Sequence, residues 1–170
     1  HPMNVVAYNK QVWDPKSLVV EAGIGIRNFW TWLSIAPLGA QHDVILNSVA
    51  VPTNLSPFNI SGAQGSWVAE IVWDRLMRVG PDGLPTLWAA EKVDRPDELT
   101  VNVTLRKGMK WSDGQPVTID DAVFSLVAPG IGDKSPMYKP FVLNIASVTK
   151  TGDDTLTIKL KHPDAAFLIS

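Results

Sequence analysis

Two adjacent carboxylate pairs, Asp120-Asp121 and Asp153-Asp154, are the groupings whose type and spacing first suggest chemistry. Paired acids do acid–base work when they share a cleft and their environments push their pKa values apart. Neither pair carries a local sign of a cleft. Asp120 and Asp121 follow Thr118 and precede the apolar residues Ala122, Val123, Phe124, Leu126 and Val127, so they read as first-turn acids of a helix. Asp153 and Asp154 lie in the turn Thr151-Gly152-Asp153-Asp154. The three histidines (His1, His42, His162) are far apart, and cysteine is absent. That excludes disulfides, thiolate catalysis and cysteine-based metal centres. There is no Gly-x-Ser-x-Gly elbow, phosphate loop or dinucleotide fingerprint; Gly23-Ile24-Gly25 lacks the third glycine. No catalytic residue, metal or cofactor is assigned, and no enzyme is expected from these residues.

Arg106, Lys107 and Lys110 form a small basic cluster that reads as a solvated strand edge, too few charges to engage nucleic acid. Seven tryptophans are a larger signal: Trp13, Trp30, Trp32, Trp67, Trp73, Trp88 and Trp111. An indole can stack on a sugar or line an apolar ligand pocket, or simply fill a core. Core packing is expected of Trp73 and Trp88. Trp67 shares their helical pattern. Trp30 and Trp32 flank Thr31 and, in an extended segment, share one exposed face.

The elements that position these groups follow from periodicity. Residues 100–106 alternate, with Val101, Val103 and Leu105 on one side, as in a half-buried strand. Gly108 breaks the strand, and Asp113-Gly114 supplies a turn. Thr118 is the expected N-cap of the next helix, its hydroxyl on the amide of Asp121, and Pro129-Gly130 ends that helix. Residues 145–150 and 155–161 alternate around Gly152-Asp153 and read as a β-hairpin, with Leu156, Ile158 and Leu160 inward. Further upstream, residues 44–51 are an apolar strand candidate, 52–65 a polar loop, and 66–77 a helix capped by Ser66 or Gly65. Residues 78–83 are a turn between short strands, 87–91 a short apolar piece, and 133–140 a loop. Residues 1–43 are loop-rich, with strand-like fragments at 5–8 and 18–20 and an aromatic, apolar run at 29–35. The expected class is mixed α+β, with more strands than helices.

The chain has 170 residues, 45% hydrophobic and 19% charged, with a net charge of −2, which fits one folded domain rather than a disordered or nucleic-acid-binding chain. No stretch approaches the roughly 20 apolar residues of a membrane span. The start, His1-Pro2-Met3-Asn4, is polar and unlike a secretory leader.

From Val44 onward the order of motifs resembles the extracellular solute-binding proteins of family 5, the receptors of peptide-type ABC importers. The resemblance is carried by Asn54-Leu55-Ser56-Pro57-Phe58-Asn59, Val72-Trp73-Asp74-Arg75-Leu76-Met77, and Asp82-Gly83-Leu84-Pro85-Thr86-Leu87-Trp88-Ala89. It is strongest in Arg106-Lys107-Gly108 and in the run Trp111-Ser112-Asp113-Gly114-Gln115-Pro116-Val117-Thr118-Ile119-Asp120-Asp121. The hairpin and Pro163-Asp164-Ala165-Ala166-Phe167-Leu168 follow in the same order. One departure is Pro129-Gly130, which stops a helix that runs on in the family.

The resemblance implies an α/β fold: part of one lobe of a type II periplasmic-binding-protein fold, strand-rich with few helices. It implies that residues 44–170 are an N-terminal part of lobe I. Residues 1–43 fit no usual beginning of the family; residues 2–10 resemble the tail that returns to this lobe. It also implies a ligand (a peptide, with oligosaccharide or metal chelate as alternatives), an ABC permease as partner, a second lobe, and a periplasmic or extracytoplasmic place beside the membrane. By position in the family, Thr53, Asn54, Ser56 and Phe58 would lie at the mouth of the ligand cleft. The alternative is a truncated interaction or sensor module of the same fold.

Overall fold

In a computed structural model the described residues are 18–19, 29, 33, 36–37, 54, 56–60, 62–132, 135 and 138–168. The chain divides into two compact units, His1–Asn47 and Ser48–Ser170. In the first, strands β1 (Leu18–Val19) and β2 (Ala36–Pro37) pair antiparallel, Leu18 opposite Pro37. In the aromatic, apolar run at 29–35, Phe29 and Leu33 are helical. Trp13, Trp30, Trp32 and the strand candidates at 5–8 and 44–51 lie outside the described residues.

The second unit is built on an antiparallel sheet in the order β5-β6-β8-β7. Its strands are β5 (Ala90–Asp97), β6 (Thr100–Leu105), β7 (Ile145–Lys150) and β8 (Thr155–Leu160). The alternation read from the sequence is the alternation of burial. Val101, Val103 and Leu105 on β6 join Leu156, Ile158 and Leu160 on β8 and Ala90 on β5 in one buried cluster. Helix α2 (Ile119–Val127) covers that face, with Ile119 buried and Ala122, Val123 and Leu126 packed against the cluster. On the opposite face Thr157 donates to Asn102 at 2.8 Å across the β6–β8 pair. The hairpin turn closes as expected: the Thr151 and Gly152 amides both donate to the carbonyl of Thr155.

Three elements differ from their sequence readings. Helix α1 runs Gly62–Val72, not 66–77, so Ser66 and Gly65 are interior residues rather than caps. Gly65 sits inside a helix because Ile60, 1% exposed, crosses over it; a Cβ at Gly65 would lie 2.9 Å from Ile60 Cγ2. The helix stops early because residues 75–76 pair elsewhere. The carbonyl of Leu76 accepts from the amides of Trp88 and Ala90, and that of Arg75 from Ala89. Met77 then enters β3 (Met77–Val79), paired antiparallel with β4 (Pro85–Leu87).

The short apolar piece at 87–91 is divided: Leu87 ends β4, and Ala90 and Glu91 begin the eight-residue strand β5. Glu91, Lys92, Asp94, Arg95, Pro96 and Asp97 hide the strand from a hydrophobic pattern, yet suit its place at the sheet edge, where charges and proline discourage further pairing. Finally, the loop read over 133–140 gives way to a helical turn, α3 (Lys139–Val142), with Pro140 in its first turn.

Candidate functional site

The loop ahead of α1 is held by three contacts. The side-chain carbonyl of Asn54 accepts the Ser56 amide at 2.8 Å, an Asx turn. The Asn59 amide donates to the Ser56 carbonyl at 3.1 Å, closing a second turn. Phe58 packs its ring edge-to-face on Phe124 of α2, with centroids 6.2 Å apart and planes at 79°. Asn54 is exposed, and Ser56 and Phe58 are half-buried. Thr53 lies outside the described residues. The loop thus brings Asn54, Ser56 and Phe58 into one short stretch, with the Asn54 side-chain carbonyl occupied locally.

Helix α2, which presents Phe124, begins in a full capping box. The Asp121 carboxylate accepts the Thr118 amide and hydroxyl, each at 2.7 Å, and the Asp121 amide donates to Thr118 Oγ1 at 3.4 Å. The Thr118 amide and then its hydroxyl, with the Trp111 side chain adding a further bond, hold the Asp121 carboxyl below the usual carboxylate range. Trp111 is 41% exposed, at the tip of a loop closed by the Lys110–Pro116 bridge, with Gly108 and Gly114 at positive φ. Asp120 points away and pairs with Lys150 at 2.9 Å, while Asp154 faces Lys107 at 3.5 Å. Asp120 and Asp121 are therefore split between different partners, an arrangement that does not build an acid–base dyad.

The tryptophans expected in the core are half-buried rather than buried. Trp88 donates its indole N–H to Asp74 at 2.7 Å and lies under the guanidinium of Arg78, 5.5 Å from the ring centroid. Arg78, 6% exposed, also donates to Glu70 at 2.9 Å and to the carbonyl of Trp73 at 3.1 Å. Burial pulls its pKa down from the ordinary value, and Glu70 and Asp74 oppose that shift. This node joins α1 to the β3–β4 hairpin. Sequence reading missed both Arg78 and Phe124. Phe124 had a visible signal: a phenylalanine on the polar side of an amphipathic helix has no core to enter. Among the described residues no group of His, Asp or Glu has the makings of a metal site, and no helix is long and apolar enough to cross a membrane.

The second unit is thus an antiparallel sheet covered by a capped helix, with a turn-rich loop docked on that helix. Residues 85–170 match the model of the bacterial extracellular solute-binding proteins, family 5 (middle region), and the chain belongs to that family. It is 33% identical to the periplasmic oligopeptide-binding protein OppA of Escherichia coli over 88 residues, 52% of this chain and 16% of OppA. The structure of the oligopeptide-binding protein AppA of Bacillus subtilis, in complex with a nonapeptide, superposes with a TM-score of 0.60 at 27% identity. That match covers 63% of this chain and 21% of AppA. The murein tripeptide binding protein MppA of Escherichia coli gives a TM-score of 0.62 at 27% identity, covering 69% of this chain and 26% of MppA. The fold is thus the mixed α/β, strand-rich fold of these periplasmic binding proteins. The chain spans between 14% and 23% of the length of the curated relatives it matches.

Proposed function

We propose that this chain acts as part of the ligand-capturing receptor of an ABC importer, in lobe I of a two-lobed trap outside the cytoplasmic membrane. Its ligand class is peptide, and it works with a permease and a second lobe rather than as an enzyme. Thr53, Asn54, Ser56 and Phe58 form the stretch that meets ligand: the Asn54 amide and Ser56 hydroxyl offer hydrogen bonds, and Phe58 offers a ring to stack on. The observation that carries this reading is the family match over residues 85–170 together with the superposition on a nonapeptide-bound receptor.

The exposed apolar side chains support it over a self-standing interaction or sensor module. Phe124, Val127, Ile131, Phe141 and Leu143, between 43% and 61% exposed, follow one another on and after α2. A module that works alone would present a more polar face there.

One face of a trap desolvates only one side of a ligand, so binding by these 170 residues is weak. Titration of the isotopically labelled chain with trialanine, followed by amide chemical shifts, tests the proposal. Shifts confined to residues 53–58 with a dissociation constant well above micromolar are expected. Submicromolar binding, or shifts only elsewhere, would refute it. A response to a manno-oligosaccharide but not to trialanine would replace the ligand class.

A further inference from the structure

We propose that Phe124 is a positioning residue: it transfers the rigidity of capped helix α2 to the candidate ligand loop by holding the ring of Phe58. The inference rests on the proposed function for the loop's purpose, but the contact itself stands apart from it.

Phe124 is 61% exposed, so it adds little to the core. The helix already meets the sheet through Ile119, Ala122, Val123 and Leu126. A phenylalanine left this open contributes little to folding by burial, yet its ring meets Phe58 edge-to-face. Aromatic pairs favour that geometry because the positive edge of one ring meets the negative face of the other. The loop's remaining anchors flank the contact. On one side the Asn54–Ser56 and Ser56–Asn59 turns shape it locally, and on the other Ile60 is clamped over Gly65. Local turns set the loop's shape without fixing its place. Phe58 on Phe124 ties the loop to an element held at its own start by the Thr118–Asp121 box.

Amide hydrogen exchange of the full chain tests this without a ligand. In Phe124→Ala, exchange at the Ser56 and Asn59 amides should accelerate about threefold to tenfold, the effect of losing one aromatic pair on a local opening. Val101 and Ile158 in the sheet should keep their rates, and Phe124→Tyr, which retains the ring, should restore protection at Ser56 and Asn59. Unchanged exchange at Ser56 and Asn59 overturns the proposal. So does acceleration shared equally by Val101 and Ile158, which marks Phe124 as an ordinary stabilising residue. Trialanine binding by the unsubstituted chain is measured in parallel. Its failure counts against the proposed function and leaves the exchange result to decide the positioning role.

Discussion

Thr118 and Asp121 cap each other: the carboxylate of Asp121 accepts the amide and hydroxyl of Thr118, and the amide of Asp121 returns a bond to that hydroxyl. The Thr118 hydroxyl and Asp121 carboxylate together cap the start of α2. Thr118→Ala should cost about 1 kcal/mol, the usual loss for an N-cap hydroxyl. For a domain of this size that lowers Tm by about 2 to 4 °C. Thr118→Ser keeps the oxygen and should sit near the parent. Thermal melts of the two variants decide it: equal Tm for alanine and parent would mean the cap contributes nothing.

The same carboxylate sets an acid response. Asp121 and Asp97 both lie below the ordinary carboxylate pKa. Bonds from the Thr118 amide and hydroxyl depress Asp121; the Thr100 hydroxyl, then the Leu99 amide, depress Asp97. In the unfolded chain these groups bind a proton near the ordinary aspartate value of about 3.9, whereas in the fold they stay ionised to lower pH. Between those limits the unfolded state holds more protons, so stability rises with pH there. It is fully present above about pH 4 and lost as pH falls through the folded values. Tm should therefore be flat from neutral pH to about 5 and drop below about 4. The double variant Asp97→Asn, Asp121→Asn should fall less steeply over the same interval. A parent and double variant with parallel profiles would place the acid sensitivity in other groups.

The elements visible in the sequence are those made by local rules. The Thr118–Asp121 box, the 155–160 alternation and the Gly114 turn need only neighbouring residues, and each is where its pattern puts it. What stayed hidden depends on partners far along the chain. Gly65 speaks against a helix until Ile60 is known to cross it. Residues 75–76 continue a helical period, and only the arrival of residues 88–90 draws them into pairing. The charges of β5 look like loop until the sheet order makes it an edge. The same holds for the site. Asn54, Ser56 and Phe58 were named from family position; Phe124 stands out on the polar side of its helix, but its pairing with Phe58 and the Arg78 node depend on residues distant in sequence.

The centre of the sheet carries most of the burial. Leu156 is 0% exposed on β8, between β6 and β7, and belongs to the cluster under α2. Leu156→Ala removes three buried carbons and leaves a void that close-packed neighbours fill only in part, at about 3 kcal/mol. Urea denaturation should show a lower midpoint with an unchanged slope. A loss under about 1 kcal/mol would mean that the cluster collapses around the gap.

Arg78 tests whether charge alone suffices at a buried ion pair. Its side chain is 3% exposed and meets Glu70 at 2.9 Å, the Trp73 carbonyl at 3.1 Å and Asp74 at 3.4 Å, with Trp88 beneath the guanidinium. Glu70 also bonds Arg75, so one carboxylate serves two arginines. Arg78→Lys keeps the charge and much of the length but loses the planar fork that reaches two carboxylates and a carbonyl together. The lysine also carries its charge as a compact, strongly hydrated ammonium, which desolvates at greater cost. About 1 to 3 kcal/mol should be lost, a range typical when a buried polar network is broken. Because Trp88 donates to Asp74 within the same node, its emission should shift toward the red as water reaches the indole. Lysine with parental stability and parental emission would show that any cation holds α1 to the hairpin. A stability loss without a change in emission would place the damage at Glu70 rather than at the Trp88 face.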